Sequence, residues 1–323
     1  MDQNSRVFYL VSFKKKSGGS LYGRYLGRVK EVRLHHLVYT NIRNKPLKLI
    51  VYLFRLLTFQ LSRKTGDTMI YNQDNCFFMK KNDKNILLAH HYHPISKNFL
   101  IRYYQRFLHR HILLNRNKFD LLVVVSQYWR DFYHNEGFEH IKVIYNPFDI
   151  EQYASRSEEE KNAFKRKYGL EEKPIIYLGN PQQEKGADKA LRALEGLDAH
   201  FVTTGIKRVD LPAKHLELSF DEYILLLQVA HVSVLMSQMK EGWNRVAHES
   251  ILCQTPVVGT GLGGMGELLQ QTNQTICNDW VTLKRIVHEM IGEKRVVSED
   301  ALAYVRSFDV EKFENAWREV LKA

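Results

Sequence analysis

The chain has 323 residues and a formal net charge of +11, and 44% of its residues are hydrophobic and 12% aromatic. This composition is ample for packed cores, and the length favours two domains over one. The three cysteines are scattered and form no C-x-x-C pair, which argues against a disulfide framework or a zinc site and for a reducing compartment.

The positive charge lies in the first half of the chain. Residues 1–150 hold 25 Lys and Arg against 10 Asp and Glu, whereas residues 151–323 hold 22 against 26. This asymmetry favours an anionic partner for the first half, such as an anionic lipid, a nucleic acid or an acidic glycan, and a solvated basic face is the alternative. No signal-peptide pattern is visible, and the longest apolar run, residues 47–61, is interrupted by Lys48 and Arg55. We therefore expect a cytoplasmic protein, with a peripheral position at the inner face of a membrane as a hypothesis.

The first predicted elements are typical of the opening of a doubly wound sheet. Apolar residues 7–13 predict a buried strand, and residues 21–29 predict a helix. Gly18 and Gly19 lie in the predicted loop between them, where glycine allows close approach of the backbone to a ligand. An ordinary tight turn is the alternative.

Two segments of this half mix aromatic, aliphatic and basic residues. Residues 42–64 and 99–118 each predict an amphipathic helix suited to an anionic membrane interface. The alternative is a pair of core helices whose polar faces happen to be basic. Aromatic and basic residues together also suit single-stranded nucleic acid, but no nucleic-acid motif accompanies them, so no nucleic-acid partner is predicted.

A histidine cluster follows the strand predicted at residues 85–89. His90, His91 and His93 lie within four positions. Neighbouring residues on a strand point to opposite faces, so these side chains would rarely share a metal ion. At the carboxyl end of a parallel strand, His90 first and His91 second would face a ligand-binding crevice, and a structural histidine is the alternative.

The remaining predicted strands alternate with helical segments. Strands are predicted at residues 121–126, 142–145, 174–179, 200–205, 215–218 and 232–235. Asn146 and Pro147 break the second of these, and a loop with Lys185 and Gly186 follows the third. The final residues, 308–321, predict an amphipathic helix with Phe313, Trp317, Val320 and Leu321 on one face.

Residues 236–267 carry the densest pattern. Glu241 and Glu249 lie eight positions apart around the start of a helix predicted near Trp243, and four glycines occur within residues 259–264. The N–H groups at a helix N-terminus suit a phosphate. Carboxylates accept hydrogen bonds from the paired hydroxyls of a sugar or a ribose. Together these features suit a nucleotide sugar.

This stretch resembles the donor-site signature of the group 1 (family 4) retaining glycosyltransferases. The E-x7-E pair alone is a weak match, but Ser237, Thr255 to Val258, Gly263, Gly264 and Glu267 accompany it in order. Residues 121–186 resemble the family more loosely. The resemblance implies an α/β fold of the GT-B type, in which two Rossmann-like domains face a cleft. Residues 1–148 would form a basic acceptor-side domain, residues 149–306 a donor domain, and residues 307–323 a helix that crosses back.

The resemblance also implies roles for single residues. Catalytic roles fall to Glu241, His90 and His91. Donor-binding roles fall to Gly18, Gly19, Asn180, Lys185, Gly242, Trp243, Asn244, Arg245, Val246 and Glu249. Asn180 stands where the family has an Arg, which implies either weaker diphosphate binding or compensation by Arg245.

The implied reaction moves a sugar, with retention, from a nucleotide-diphosphate sugar to a glycan or lipid-linked acceptor. No metal and no cofactor would be required, because Lys185 and the helix N-terminus offset the diphosphate charge.

Three other functions compete with this one. Residues 259–264 satisfy G-x-G-x-x-G after a strand, with Asp279 downstream, which is typical of a dinucleotide oxidoreductase. That motif lies late in the chain and leaves the E-x7-E helix without a role. The same fold also serves nucleotide-sugar epimerases and phosphorylases, and it serves non-catalytic nucleotide-sugar-binding proteins. Asn180 favours the last of these, whereas the intact Glu241, Glu249 and Lys185 oppose it.

Overall fold

The computed structural model describes residues 6–11, 18–37, 45–92, 94 and 99–323. The chain divides into two compact units, one of Met1–Pro147 with Val310–Ala323 and one of Phe148–Asp309. Each unit contains a six-stranded parallel sheet. Compactness does not test whether each part folds independently, so the domain bounds expected from the sequence stay a prediction.

The first unit is built on a sheet with the strand order β2-β1-β3-β4-β5-β6. Its strands are β1 (Val7–Val11), β2 (Val32–His36), β3 (Thr68–Asn72), β4 (Lys84–Ala89), β5 (Leu121–Val124) and β6 (Ile141–Val143). The accompanying helices are α1 (Gly18–Leu26), α2 (Lys45–Ser62), α3 (Phe99–Leu114) and α4 (Gln127–Asn135). The chain moves outward from β1 in both directions, so the crevice of this doubly wound sheet lies beyond the carboxyl ends of β1 and β3.

The second unit has the strand order β12-β11-β10-β7-β8-β9. Its strands are β7 (Ile175–Tyr177), β8 (His200–Thr204), β9 (Lys214–Leu216), β10 (Val232–Leu235), β11 (Val257–Gly259) and β12 (Thr275–Ile276). Its helices are α5 (Glu158–Tyr168), α6 (Ala187–Ala193), α7 (Phe220–Val229), α8 (Arg245–Leu252), α9 (Gly264–Gln271), α10 (Trp280–Gly292) and α11 (Glu299–Arg306). The sheet reverses its winding between β7 and β10, and this switch point is where such sheets bind ligands.

Local sequence fixes the ends of several helices in the second unit. Ser157 and Glu160 form a reciprocal capping box at α5, and Ser219 and Glu222 form another at α7. Each box satisfies backbone N–H groups that the first helical turn leaves unpaired. At α8 the Asn244 side chain accepts a hydrogen bond from the backbone N–H of Ala247 at 2.9 Å.

The last helix, α12 (Val310–Lys322), packs within the first unit. The predicted apolar face is buried, since Phe313, Trp317, Val320 and Leu321 are each at most 4% exposed. Trp317 Nε1 donates a hydrogen bond to the Tyr22 hydroxyl at 3.1 Å, and that hydroxyl donates to the Ile144 carbonyl at 3.2 Å. This chain of bonds ties α12 to α1 and to the end of β6.

The predicted amphipathic segments form α2 and α3, although residues 42–44 lie outside the described residues. On α3, Phe99, Tyr103 and Phe107 form an exposed stripe at i, i+4 spacing. An exposed stripe of Arg102, Arg106 and Arg110 runs beside it.

On α2 the exposed side chains are mainly apolar, namely Leu47, Leu49, Ile50, Phe54 and Leu61. Arg63, which was expected to lie on the exposed basic face of residues 42–64, is instead buried and pairs with Asp67 and Asp83. Among the residues that the structure describes, no helix is long and apolar enough to span a bilayer.

Candidate functional site

The strands that flank the switch point of the second unit lead directly to the candidate site. Lys185 lies in a turn after β7, and Glu241 lies in the loop after β10. Lys185 Nζ donates to Glu241 Oε1 at 2.7 Å. The Glu241 side chain is only 7% exposed and the Lys185 side chain is 33% exposed. Two residues 56 positions apart thus form one ion pair beyond the carboxyl ends of adjacent strands.

Backbone contacts hold the Lys185 turn against the end of β10. Gly186 has φ +69°, and a Cβ at this position would collide with the Met236 carbonyl oxygen. The backbone N–H of Gln238 donates to the Glu184 carbonyl at 2.9 Å. Glycine is therefore required at position 186 both by its left-handed conformation and by the close approach of the two segments.

The glycine cluster supports the Glu241 loop in the same way. Glu241 and Gly263 form an isolated parallel bridge, with the Glu241 N–H donating to Leu262 at 3.1 Å and the Gly264 N–H donating to Glu241 at 2.8 Å. Gly263 has φ +71°, and a Cβ there would overlap the Glu241 backbone. Part of the G-x-G-x-x-G pattern therefore positions a carboxylate of the E-x7-E pair.

The downstream acidic residue of the dinucleotide alternative has a different role. The carboxylate of Asp279 accepts from the backbone N–H groups of Val281 and Thr282, at 2.9 and 3.2 Å. Asp279 is thus the N-cap of α10. A carboxylate engaged in capping a helix is poorly placed to bind a ribose, which weakens the oxidoreductase hypothesis.

Glu249 lies on α8 and is held by three side chains. Glu249 Oε2 accepts from the Tyr223 hydroxyl at 2.8 Å, and Glu249 Oε1 accepts from the Tyr153 hydroxyl at 3.4 Å. Arg245 pairs with the same carboxylate at 3.3 Å, one helical turn earlier. Burial, reinforced by the nearby Glu249 charge, raises the pKa of Tyr223 well above its ordinary value, so this hydroxyl remains a hydrogen-bond donor.

The other predicted donor-binding residues of the second unit differ in what they expose. Trp243 is buried, stacks on Phe308 and donates through Nε1 to His248 Nδ1 at 3.2 Å. Its indole is therefore part of the core, so the predicted role would fall to its backbone. Gly242 and Asn244 are also buried, and Val246 is half-buried.

Asn180 and Arg245 were expected to share the role of the family's Arg. The side-chain amide of Asn180 lies against Gly205, which has φ +80° and leaves no room there for a Cβ. Arg245 pairs with Glu249 and stacks over the Phe148 ring at 4.1 Å. The Arg245 charge is thus already engaged, and its expected compensation for Asn180 stays a prediction.

In the first unit, His90 follows β4 and lies against the first turn of α1. Gly18 and Gly19 are the first residues of that helix, so the predicted glycine loop is wrong at these positions. The helix was predicted to begin at residue 21 because glycine is a weak helix former. Residues 12–17 of the predicted loop, and His93, lie outside the described residues.

The surroundings of His90 are mainly apolar and aromatic. Its ring meets Tyr22 edge to face at 5.0 Å, and burial lowers the pKa of His90 to about 3. The ring is therefore neutral near pH 7. His91 is exposed. Within the described residues, no cluster of His, Cys, Asp and Glu is arranged to hold a metal ion.

A cavity of about 590 Å³ lies beside His90 at the carboxyl ends of β1, β3 and β4. His90, His91 and Gly19 line it. The structure thus brings three of the four predicted residues of the first unit to one cavity. In the second unit, Tyr153 and Tyr223 were not foreseen: they lie 96 and 26 positions from Glu249, and no spacing rule links them to it.

Comparison with known sequences gives one partial likeness. No family model matches the chain. An uncharacterized glycosyltransferase of Methanocaldococcus jannaschii is 26% identical over 156 residues, which are 42% of this chain and 44% of that protein. The matched segment therefore spans less than half the length of this curated relative.

Solved structures resemble nearly the whole chain. HepE from Anabaena, in complex with UDP and glucose, has a TM-score of 0.77 at 16% identity, covering 98% of this chain and 99% of that one. Sucrose-phosphate synthase from Thermosynechococcus elongatus has a TM-score of 0.76 at 12% identity, covering 98% of both chains. At these identities the likeness shows a shared fold, and the predicted α/β class of the GT-B type is confirmed.

Proposed function

We propose that this chain is a retaining glycosyltransferase that moves a sugar from a nucleoside-diphosphate sugar to a glycan or lipid-linked acceptor. The observation that carries the proposal is the ion pair between Lys185 and Glu241 at 2.7 Å. It lies beyond the carboxyl ends of β7 and β10, the two strands at the switch point. Ligands of doubly wound sheets bind at this place. The structural likeness supports the proposal, because the HepE structures hold UDP with glucose and UDP-glucose.

Three side chains of the second unit bind the donor in this proposal. Lys185 binds the diphosphate, since its flexible ammonium group can turn from Glu241 to a phosphate. Glu241 and the backbone from Gly242 to Asn244 hold the sugar hydroxyls. Glu249 accepts hydrogen bonds from the ribose hydroxyls through lone pairs that its tyrosine and arginine partners leave open, because a carboxylate offers about four acceptor sites.

The proposed chemistry is a substitution at the anomeric carbon. The bond from that carbon to the diphosphate oxygen breaks, and its electron pair leaves with the diphosphate. The acceptor oxygen forms the new bond on the same face, and its proton passes to the departing diphosphate. Lys185 stabilises the leaving group, and Glu241 stabilises the oxocarbenium-like sugar.

No metal is required in this scheme, since Lys185 and the N-terminus of α8 offset the charge of the leaving group. In the first unit, neutral His90 and the neighbouring His91 orient the acceptor.

Thermal unfolding with added nucleotides tests the donor assignment. UDP, GDP, ADP and their glucose conjugates are compared at about 1 mM, because a ligand of the folded state raises its melting temperature. At least one diphosphate should stabilise the wild type and fail to stabilise Lys185→Met. Glu241→Gln should keep the diphosphate effect and lose sugar transfer, measured as nucleotide release with and without EDTA.

Full turnover by Glu241→Gln would contradict the assignment, and loss of turnover in EDTA would contradict metal independence. Stabilisation by a nucleotide sugar without transfer to any acceptor would favour the non-catalytic alternative.

We also propose that the first unit rests on an anionic membrane surface through α3. Its aromatic stripe of Phe99, Tyr103 and Phe107 lies beside an arginine stripe, and this combination suits lipid headgroups. Flotation with vesicles of neutral lipid, and of neutral lipid with about 30% anionic lipid, tests this idea. We expect binding only to the anionic vesicles, weakening as salt is raised. Arg106→Glu should abolish it, whereas Arg192→Glu, at an exposed site of the second unit, should not. Equal flotation of these two variants would contradict the proposal.

A further inference from the structure

Three buried polar atoms of the described residues that line the cavity beside His90 lack hydrogen-bond partners. Five buried side-chain atoms lack a partner within the described residues, and three of them belong to residues that line this cavity: His90 Nε2, Gln105 Oε1 and His109 Nδ1. Buried polar atoms are nearly always satisfied in native proteins, so three in one place require an explanation. A single water needs far less than the cavity volume of about 590 Å³, which lies in the range of small-molecule sites.

The chemistry of these atoms selects the kind of ligand. Gln105 Oε1 only accepts hydrogen bonds, so its partner must be a donor. Burial lowers the pKa of His90 to about 3 and also lowers the pKa of His109, so neither ring supplies a positive charge near pH 7. A neutral imidazole offers one donor and one acceptor, and a hydroxyl group can serve either. Phosphate and carboxylate oxygens accept only and would leave Gln105 unsatisfied.

The cavity wall offers an aromatic surface next to these atoms. Tyr92 and His109 stack with their ring centroids 4.0 Å apart and an interplanar angle of 14°. Leu108 and Ile112, one helical turn apart on α3, supply apolar wall. An apolar surface beside convergent polar atoms is typical of sites that bind a ring carrying hydroxyl groups.

Charged residues at the cavity add no net preference for an anion. Arg24 and Asp74 both line it, one of each sign. The basic residues of α3, by contrast, are on its exposed face. The positive charge of α3 and the cavity are therefore separate features, which suit separate chemical groups.

We propose that this cavity binds a neutral, hydroxyl-rich ring, namely an unphosphorylated sugar unit, and that Gln105 and His109 select it over phosphorylated or carboxylated sugars. The inference rests on the proposed function only in identifying this sugar with the end of the acceptor. Binding of the sugar itself does not depend on the donor site.

Saturation-transfer NMR on the full chain tests the proposal. The neutral probes are methyl α-glucoside, methyl α-galactoside, methyl α-mannoside and N-acetylglucosamine, and the charged probes are glucose 6-phosphate and glucuronic acid. At least one neutral probe should bind in the millimolar range, with both charged probes about fivefold weaker or more. Gln105→Leu and His109→Phe should each weaken the neutral probe about fivefold, since each removes one hydrogen-bond partner and keeps the side-chain volume.

Controls separate binding from folding and from the donor site. Gln127→Leu makes the same change at an exposed position of the same unit and should leave the binding of the neutral probe unchanged. His109→Phe keeps a ring to stack on Tyr92. The melting temperature and the nucleotide response of each variant are measured in parallel. If no nucleotide raises the melting temperature of the wild type, the proposed donor site is refuted, and the proposed sugar site is not affected.

Three results would overturn the inference. They are the absence of binding by every neutral probe, equal or tighter binding of the charged sugars, and unchanged affinity in both Gln105→Leu and His109→Phe.

Discussion

The Lys185–Glu241 pair predicts an asymmetric response to mutation. At 2.7 Å and an effective dielectric constant near 20, the attraction is roughly 6 kcal/mol before desolvation is counted. Desolvation offsets most of this, because exposed pairs contribute about 0–1 kcal/mol whereas breaking a buried pair costs about 3–5 kcal/mol. Lys185→Met removes the ion-pair partner of a carboxylate that is 7% exposed, so we expect about 2 kcal/mol of destabilisation. Glu241→Gln leaves a lysine that is 33% exposed and can turn to water, so we expect about 0.5–1 kcal/mol.

Urea unfolding of a double-mutant cycle measures this coupling. The double variant should lose about 1 kcal/mol less free energy of unfolding than the two single variants lose in sum, because the buried carboxylate that lacks Lys185 is no longer present. Lys189→Met serves as the matched control, since Lys189 is exposed, its hydrogen-bond partner is the neutral amide of Gln238, and it also contacts the face of the Trp280 ring at 5.8 Å. We expect this control to cost less than about 0.5 kcal/mol. Equal costs for Lys185→Met and Lys189→Met, or strict additivity in the cycle, would refute the reasoning.

Three further predictions concern the supports of the same site. Tyr223→Phe removes the 2.8 Å bond to Glu249 and should cost about 1–2 kcal/mol in urea unfolding and raise the donor KM, and unchanged values would show that the bond is dispensable. Gly263→Ala should cost at least about 2 kcal/mol more than Gly66→Ala in the same assay, because both glycines have positive φ but only Gly263 would clash with backbone. His248 has a pKa lowered well below 6.5, mainly by burial, so the unfolded state binds the extra proton and stability is lost as pH falls below about 6.5. At pH 5 the loss from His248 should approach about 2 kcal/mol, measured as the difference in pH dependence between the wild type and His248→Asn in urea unfolding at pH 7.5 and 5, because buried His90, with a pKa of about 3, contributes its own loss in both proteins. An equal pH dependence in the two proteins would contradict the prediction.

Strong apolar runs predicted most of the sheets. The strand predicted at residues 232–235 is β10 (Val232–Leu235), and all four of its residues are buried. β2 (Val32–His36) was not predicted, because it is an edge strand that exposes Arg33, Leu34 and His36 and lacks an apolar run. The central and mostly buried β3 (Thr68–Asn72) and the edge strand β12 were not predicted either, whereas the edge strands β6 and β9 were, so apolar runs did not separate central strands from edges.

The parts of the site that are local in sequence were predicted, and the contacts between them were not. The spacing of Glu241 and Glu249 placed one residue before a helix and one on it, and α8 (Arg245–Leu252) has that position. The pairing of Glu241 with Lys185 depends on which strands adjoin in the sheet, and strand order cannot be derived from periodicity. The same holds for Tyr223, which reaches Glu249 because α7 and α8 pack together.

The role of the glycine cluster also depends on tertiary structure. The sequence offered two interpretations of residues 259–264, a cofactor loop or the loop behind a sugar-binding helix. The bridge between Gly263 and Glu241 supports the second, because a Cβ at Gly263 would displace the Glu241 backbone. A glycine motif thus acquires its meaning from the segment that packs against it.

Each carboxylate of the E-x7-E pair forms an ion pair with a basic side chain. Glu241 pairs with Lys185 and Glu249 pairs with Arg245, so the four charges cancel. Asn180, where the resembling family has an Arg, adds no charge. In the proposed reaction the diphosphate would compete with Glu241 for Lys185, and the rest of its binding would come from neutral donors such as backbone N–H groups. Because Lys185 would exchange one anionic partner for another, donor affinity should depend less on ionic strength than the membrane binding proposed for α3 does.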